Sequence, residues 1–150
     1  MKNFERHRHA NKRLESAKTI IKALLELRSD SRIHPPHLRK FLSNGLWQIT
    51  QANGKYNTQF CSRAALDALH EGSKQGLQHE HVFERKKMVD SLLERPEKIE
   101  EIVERAAGCI VTKTEHALLG RVDPRLDGWD RYRAAKIRVI NRETGQPLEF

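Results

Sequence analysis

The segment Cys109-Ile110-Val111-Thr112-Lys113-Thr114-Glu115 restricts the folds open to this chain more than any other stretch. Three apolar strand-compatible residues run directly into Thr-x-x-Glu, the reciprocal capping box that opens a helix. The apolar run predicts a buried strand, and the box predicts a helix that starts at once. Upstream the period is different. Leu14, Ala17, Ile20, Ile21, Leu24, Leu25 and Arg28 keep three-four spacing, with Leu27 widening the stripe, and Lys12, Glu15, Lys18, Lys22 and Glu26 fill the opposite face. This predicts a helix from before Leu14 to near Ser29-Asp30-Ser31. Pro35-Pro36 then opens a short helix, His37 to Leu42, closed by Asn44-Gly45.

The middle of the chain reads as a hairpin followed by short elements. Leu46 to Gln51 is rich in strand formers, Asn53-Gly54 is a turn signal, and Lys55 to Phe60 supplies the returning strand. Ser62 caps a helix that stops at Gly72. Residues 76–82 predict a short strand and Arg85 to Glu94 a helix. Pro96 breaks that helix and opens another, Glu97 to Ala107, ended by Gly108. A helix over Trp129 to Lys136, a strand over Ile137 to Asn141 and an irregular tail complete the order. Local hairpins mixed with helices, without regular βαβ units, predict an α+β fold of small antiparallel hairpins packed with several helices.

Charge is distributed unevenly along the 150 residues. The net charge is +8, and residues 1–45 hold 11 basic and 4 acidic side chains, a net of +7. Residues 46–95 carry +1, and residues 96–150 are neutral. This predicts a basic helical arm or subdomain over 1–45 and an α+β core over 46–150. A basic segment on a near-neutral body points to a polyanion, with nucleic acid, DNA or RNA, the expected partner. Arg6, Arg8, Lys12, Arg13, Lys18, Lys22, Arg39 and Lys40 are the expected phosphate contacts. A membrane is not an expected partner. No apolar run approaches the roughly 18 residues that a span needs, and the basic N-terminus lacks the apolar region of a secretory signal. Cys61 and Cys109 form no close pair, which argues against a disulfide framework or a cysteine zinc site and makes the cytoplasm the expected location.

The densest group of chemically capable residues is His79-Glu80-His81. Imidazole and carboxylate suit a divalent metal, and histidine is the natural general base near neutral pH. In a regular strand the two histidines share one face and Glu80 the other. A second group, Glu115-His116, sits in the first turn of the helix after Cys109-Ile110-Val111. A strand with a His-rich end, an insertion, a second strand and a helix-borne His resembles the HNH nucleases, the ββα-metal superfamily. The resemblance covers residues 76–120, with Glu80-His81-Val82 as its first element and Cys109 to Leu119 as its second.

The resemblance implies a metal-dependent nuclease that hydrolyses phosphodiester bonds. Glu80 and His116 would hold one divalent ion (Mg, Mn, Ni or Zn), and His81 would be the general base. His79 would be a reserve ligand or a group supporting the ligands from behind, and Lys113, Arg85 or Lys86 would steady the phosphate. Three positions depart from the family's pattern. No Asn stands near Ala107-Gly108, Gly120 replaces a further ligand, and the insertion is long and helical. Two other readings follow from the same residues: a nucleic-acid-binding protein without catalysis, using its basic N-terminal segment, and a metal-independent ribonuclease with His79 and His81 as an acid–base pair.

Overall fold

The structure, a computed structural model, describes residues 4–150. The chain begins with two long helices, α1 (Ala10–Glu26), which ends in a 3₁₀ turn at Leu27–Ser29, and α2 (Pro35–Thr50). The expected hairpin at residues 46–60 does not form. Leu38, Leu42, Leu46 and Ile49 recur at helical spacing and are all buried against Ile21 and Leu25 of α1. That packing overrides the strand propensity of the segment. Asn44-Gly45 does not end the helix either. Gly45 is where α1 crosses α2, and a Cβ there would lie 2.7 Å from Ile21 Cγ1. The expected boundary at residue 45 thus falls inside α2.

A loop leads to β1 (Phe60–Ser62) and α3 (Arg63–His70), whose N-cap Ser62 accepts a bond from Ala65 N. Next come β2 (Leu77–His81), α4 (Arg85–Glu94), a 3₁₀ turn at Pro96–Lys98 and α5 (Ile99–Glu104). The last is shorter than expected, and Gly108 belongs to the following strand rather than to a helix cap. That strand, β3 (Gly108–Thr112), passes straight into α6 (Lys113–Leu119) through the capping box of Thr112 and Glu115. A loop, α7 (Trp129–Ala134) and β4 (Val139–Asn141) follow. The expected irregular tail contains a two-residue strand, β5 (Gln146–Pro147).

The five strands form one mixed sheet, ordered β2-β3-β1-β4-β5. Only β1 and β3 run parallel; the other neighbours are antiparallel. The fold is α+β. One sheet face packs Cys61, Leu77, Ile110 and Ile140 against Ala65 of α3. The other packs Cys109, Val111 and Val139 against Leu119, Tyr132 and Ile137. A third cluster lies among α1, α2, α4 and α5, so the basic N-terminal helices share a core with the middle of the chain. The expected ββα element with a helical insertion is present as β2, α4, α5, β3 and α6. Among the described residues, no helix is long and apolar enough to cross a membrane.

Candidate functional site

The candidate site sits where the edge strand β2 ends. Strand alternation turns His79 and His81 to the α2 side and Glu80 to the α6 and α7 side. Because β2 is an edge strand, with no outer neighbour among the described residues, both sides open onto one cleft of about 350 Å³ around the strand end. Trp47, Glu80, His81, Arg85, His116 and Arg131 line it.

Glu80 is the centre of the hydrogen bonding. Its side chain and that of Arg131 are each 11% exposed. Oε2 accepts a bond from His116 Nδ1 at 2.5 Å, and Oε1 accepts one from Arg131 Nη2 at 3.3 Å. Since a carboxylate only accepts, the proton of a neutral His116 ring lies on Nδ1, and the Nε2 lone pair is left free. The His116 side chain is 56% exposed, so solute can reach it. Arg131 also donates from Nη1 to the His81 carbonyl at 3.3 Å, which fixes the backbone at the strand end. Glu115 is committed elsewhere. Its Oε2 accepts from Thr112 N at 2.8 Å and from Ser62 Oγ at 2.5 Å. That clamp sets the orientation of α6 and so aims His116 at Glu80.

His81 contributes an imidazole beside Trp47, with ring centroids 4.9 Å apart. Its Nε2 is buried and has no hydrogen-bond partner among the described residues. Burial first, then the charge of Arg85 and the neighbouring His79, pushes its pKa down to about 3. The ring is therefore neutral near pH 7, with a nitrogen left unused by the fold. Arg85 lies over the Trp47 ring at 4.9 Å.

His79 departs from the role expected of it. It is buried, its Nδ1 donates to the Lys55 carbonyl at 2.8 Å, and its Nε2 lies 3.1 Å from Thr50 Oγ1. Burial lowers its pKa. With both nitrogens engaged, His79 fastens β2 to α2 and the following loop, and it is a structural residue rather than a ligand or acid–base group. Gly108 explains itself here, because a Cβ would meet His79 Cε1 at 2.6 Å.

No family model, curated protein or solved structure matches this chain. The site therefore stands on its own geometry.

The basic residues expected to meet nucleic acid are dispersed. Lys18 and Lys22 pair with Glu100, Arg39 with Asp90, and Arg6 with Glu143. Arg13 donates to the Ala52 carbonyl. Arg8 and Lys12 line grooves away from the cleft, while Lys40 and Lys113 line neither groove nor cleft. Arg131, in the Trp-Asp-Arg-Tyr-Arg run anchored by Trp129, reads from sequence only as a secondary contact, and Trp47 reads as an aromatic of the hairpin that does not form, there to pack or to stack on a base; neither is expected at this cleft.

The residues present bear on the implied metal in a specific way. The Glu80 carboxylate and the His116 imidazole touch through the Nδ1–H hydrogen bond, so an ion shared by the two would take the place of that proton. Among the described residues, no three His, Cys, Asp or Glu side chains are placed so that they could hold a metal ion together. This donor set does not fit a closed tetrahedral zinc site. It fits an open site of the magnesium kind, in which waters and a substrate phosphate fill most of the coordination sphere.

Proposed function

We propose that this chain is a metal-dependent nuclease of the HNH type, acting at the cleft around the end of β2. The contact of Glu80 with His116, in the same cleft as the unpartnered Nε2 of His81, carries this reading. Glu80 and His116 would hold the divalent ion. When bound, it would stabilise the negative charge that builds on the phosphate and the leaving oxygen. The proton of the attacking water would go to His81 Nε2, an acceptor that burial makes weak and that substrate must uncover, as the water oxygen bonds to phosphorus and the bond to the leaving oxygen breaks. Arg85 and Lys86 face the cleft and hold the phosphate. Arg131 keeps one Glu80 oxygen fixed, so the other stays aimed at His116.

A second reading has an observation of its own. The guanidinium of Arg131 already gives Glu80 a cation, and a carboxylate bonded to Nδ1 of a histidine orients that ring as a base. In that case His116 Nε2 takes the proton and no metal is involved.

The deciding experiment is cleavage of supercoiled plasmid and of labelled RNA with Mg²⁺, Mn²⁺, Ni²⁺ or Zn²⁺, with and without EDTA. The metal reading expects cleavage that EDTA abolishes. His81→Ala should lose about 10²-fold or more in turnover while still binding substrate. Glu80→Gln and His116→Ala should need more metal. Cleavage that EDTA leaves unchanged would replace the first reading with the second. No cleavage with any metal would leave a binding protein only.

A further inference from the structure

A second concave surface lies on the other side of the loop that follows α2. It is a groove of about 860 Å³, with residues 5–8 along one side and α3 along another. Four cations, Arg6, Arg8, Lys74 and Arg142, line it, against one acid, Glu5. Arg6 is spoken for by Glu143 at 3.1 Å. Arg142 is in a different position. It is partly buried, and its Nη1 donates to the Thr58 carbonyl at 2.9 Å. Its Nε is buried with no partner, and the guanidinium forms no ion pair among the described residues. A cation held in a wall without a counter-charge is costly, and an anion placed beside it removes that cost.

The groove is not uniformly polar. Leu66, Leu69 and the Tyr56 ring give it apolar surface. Lys55 and Lys74 place their ammonium groups 5.2 and 6.0 Å from the Tyr56 centroid. An aromatic face with cations at its margin matches the alternation of base and phosphate along a nucleic-acid strand. A duplex hides its base faces and would leave this apolar surface unused.

We propose that this groove binds a single-stranded segment of nucleic acid, with Arg142 and Lys74 on phosphates and a base against Tyr56. The groove and the candidate cleft flank the same loop. The Lys55 carbonyl receives His79, while the Lys55 side chain lies by Tyr56. Binding here does not require that the cleft cut, so the two proposals fail separately.

The test is fluorescence anisotropy of labelled dT12 and U12, in EDTA, at several salt concentrations. A 12-base-pair duplex and a phosphotyrosine peptide serve as comparisons. Arg142→Gln and Lys74→Gln should each weaken binding of at least one single strand about 5-fold. Each should also flatten the salt dependence by about 0.7 in log–log slope, the value for one phosphate contact on a single strand. Lys74 is exposed and has no structural bond to lose, so its variant reads binding without risk to folding. U12 bearing 5-bromouridine should cross-link to Tyr56 on irradiation. Unchanged affinity and slope in both variants would overturn the proposal. So would a duplex or phosphopeptide that binds more tightly than either single strand with the same dependence on Arg142 and Lys74, or cross-links that fall only outside the groove.

Discussion

Removing the Arg131 guanidinium would leave the Glu80 carboxylate, which water barely reaches, with His116 as its one remaining partner among the described residues. A buried carboxylate stripped of its cation is expensive, so Arg131→Met should destabilise the fold by about 3 kcal/mol. Urea unfolding followed by Trp fluorescence measures this. A midpoint equal to that of the wild type would show that the pair holds nothing in place. The same scale explains what the sequence did and did not disclose. That Glu80 and His116 would meet was legible, because one stands at a strand end and the other in the first turn of the helix that follows the paired strand. His79 was misread because residue type does not reveal whether ring nitrogens are already bonded. Its partners, the Lys55 carbonyl and Thr50 Oγ1, come from a segment expected to be a hairpin. Gly108→Ala offers a further check, since the added methyl would push on the His79 ring. Overpacking of this kind costs about 1–3 kcal/mol, read as a lower urea midpoint.

Among the elements, the capping box and the helix of residues 85–94 were plain in the sequence because their signals are local. The true length of α2 was not. Its extension past Gly45 depends on Ile21, which lies far away in sequence. Gly45→Ala should therefore cost about 1–3 kcal/mol even though alanine is the better helix former, because its Cβ would collide with Ile21. A gain in thermal midpoint would contradict the close crossing. The contact between α1 and α5 carries a pH dependence. Lys22 and Lys18 bond the Glu100 carboxyl and hold it below its ordinary value of 4.5. A depressed carboxylate stabilises the fold above the unfolded value and loses that contribution as pH falls through the folded one. Glu100→Gln should thus be less stable than the wild type at pH 7. The difference should begin to shrink as pH falls below the ordinary carboxyl value of 4.5 and be gone once the carboxyl is protonated in the folded state as well. A gap of constant size across that range would rule out the ion pair as its source.

For the molecule as a whole, the charge asymmetry in the sequence is real, but it does not mark an independent arm. α1 and α2 bury Ala17, Ile21, Leu25, Leu42 and Leu46 in a core shared with Val89 and Leu92 of α4. A chain beginning at residue 46 should lose cooperative unfolding, since it cuts α2 and exposes that core. Circular dichroism during a thermal scan tests this, and a sharp transition in the shortened chain would restore the two-part division. The sheet has a different relation to chain order. Its central strand β1 needs β3 on one side and β4 on the other, through the pairs Phe60 with Cys109 and Phe60 with Asn141. β1 therefore gains its second neighbour only once Asn141 has been made, long after its own residues. During synthesis the N-terminal helices can pack against each other early, while the strand that bears Glu80 and His81 waits for β3, its partner in the sheet. Any chemistry at the end of β2, which also calls on His116 of α6 and Arg131 of α7, is thus withheld from a nascent chain that has not yet released those helices.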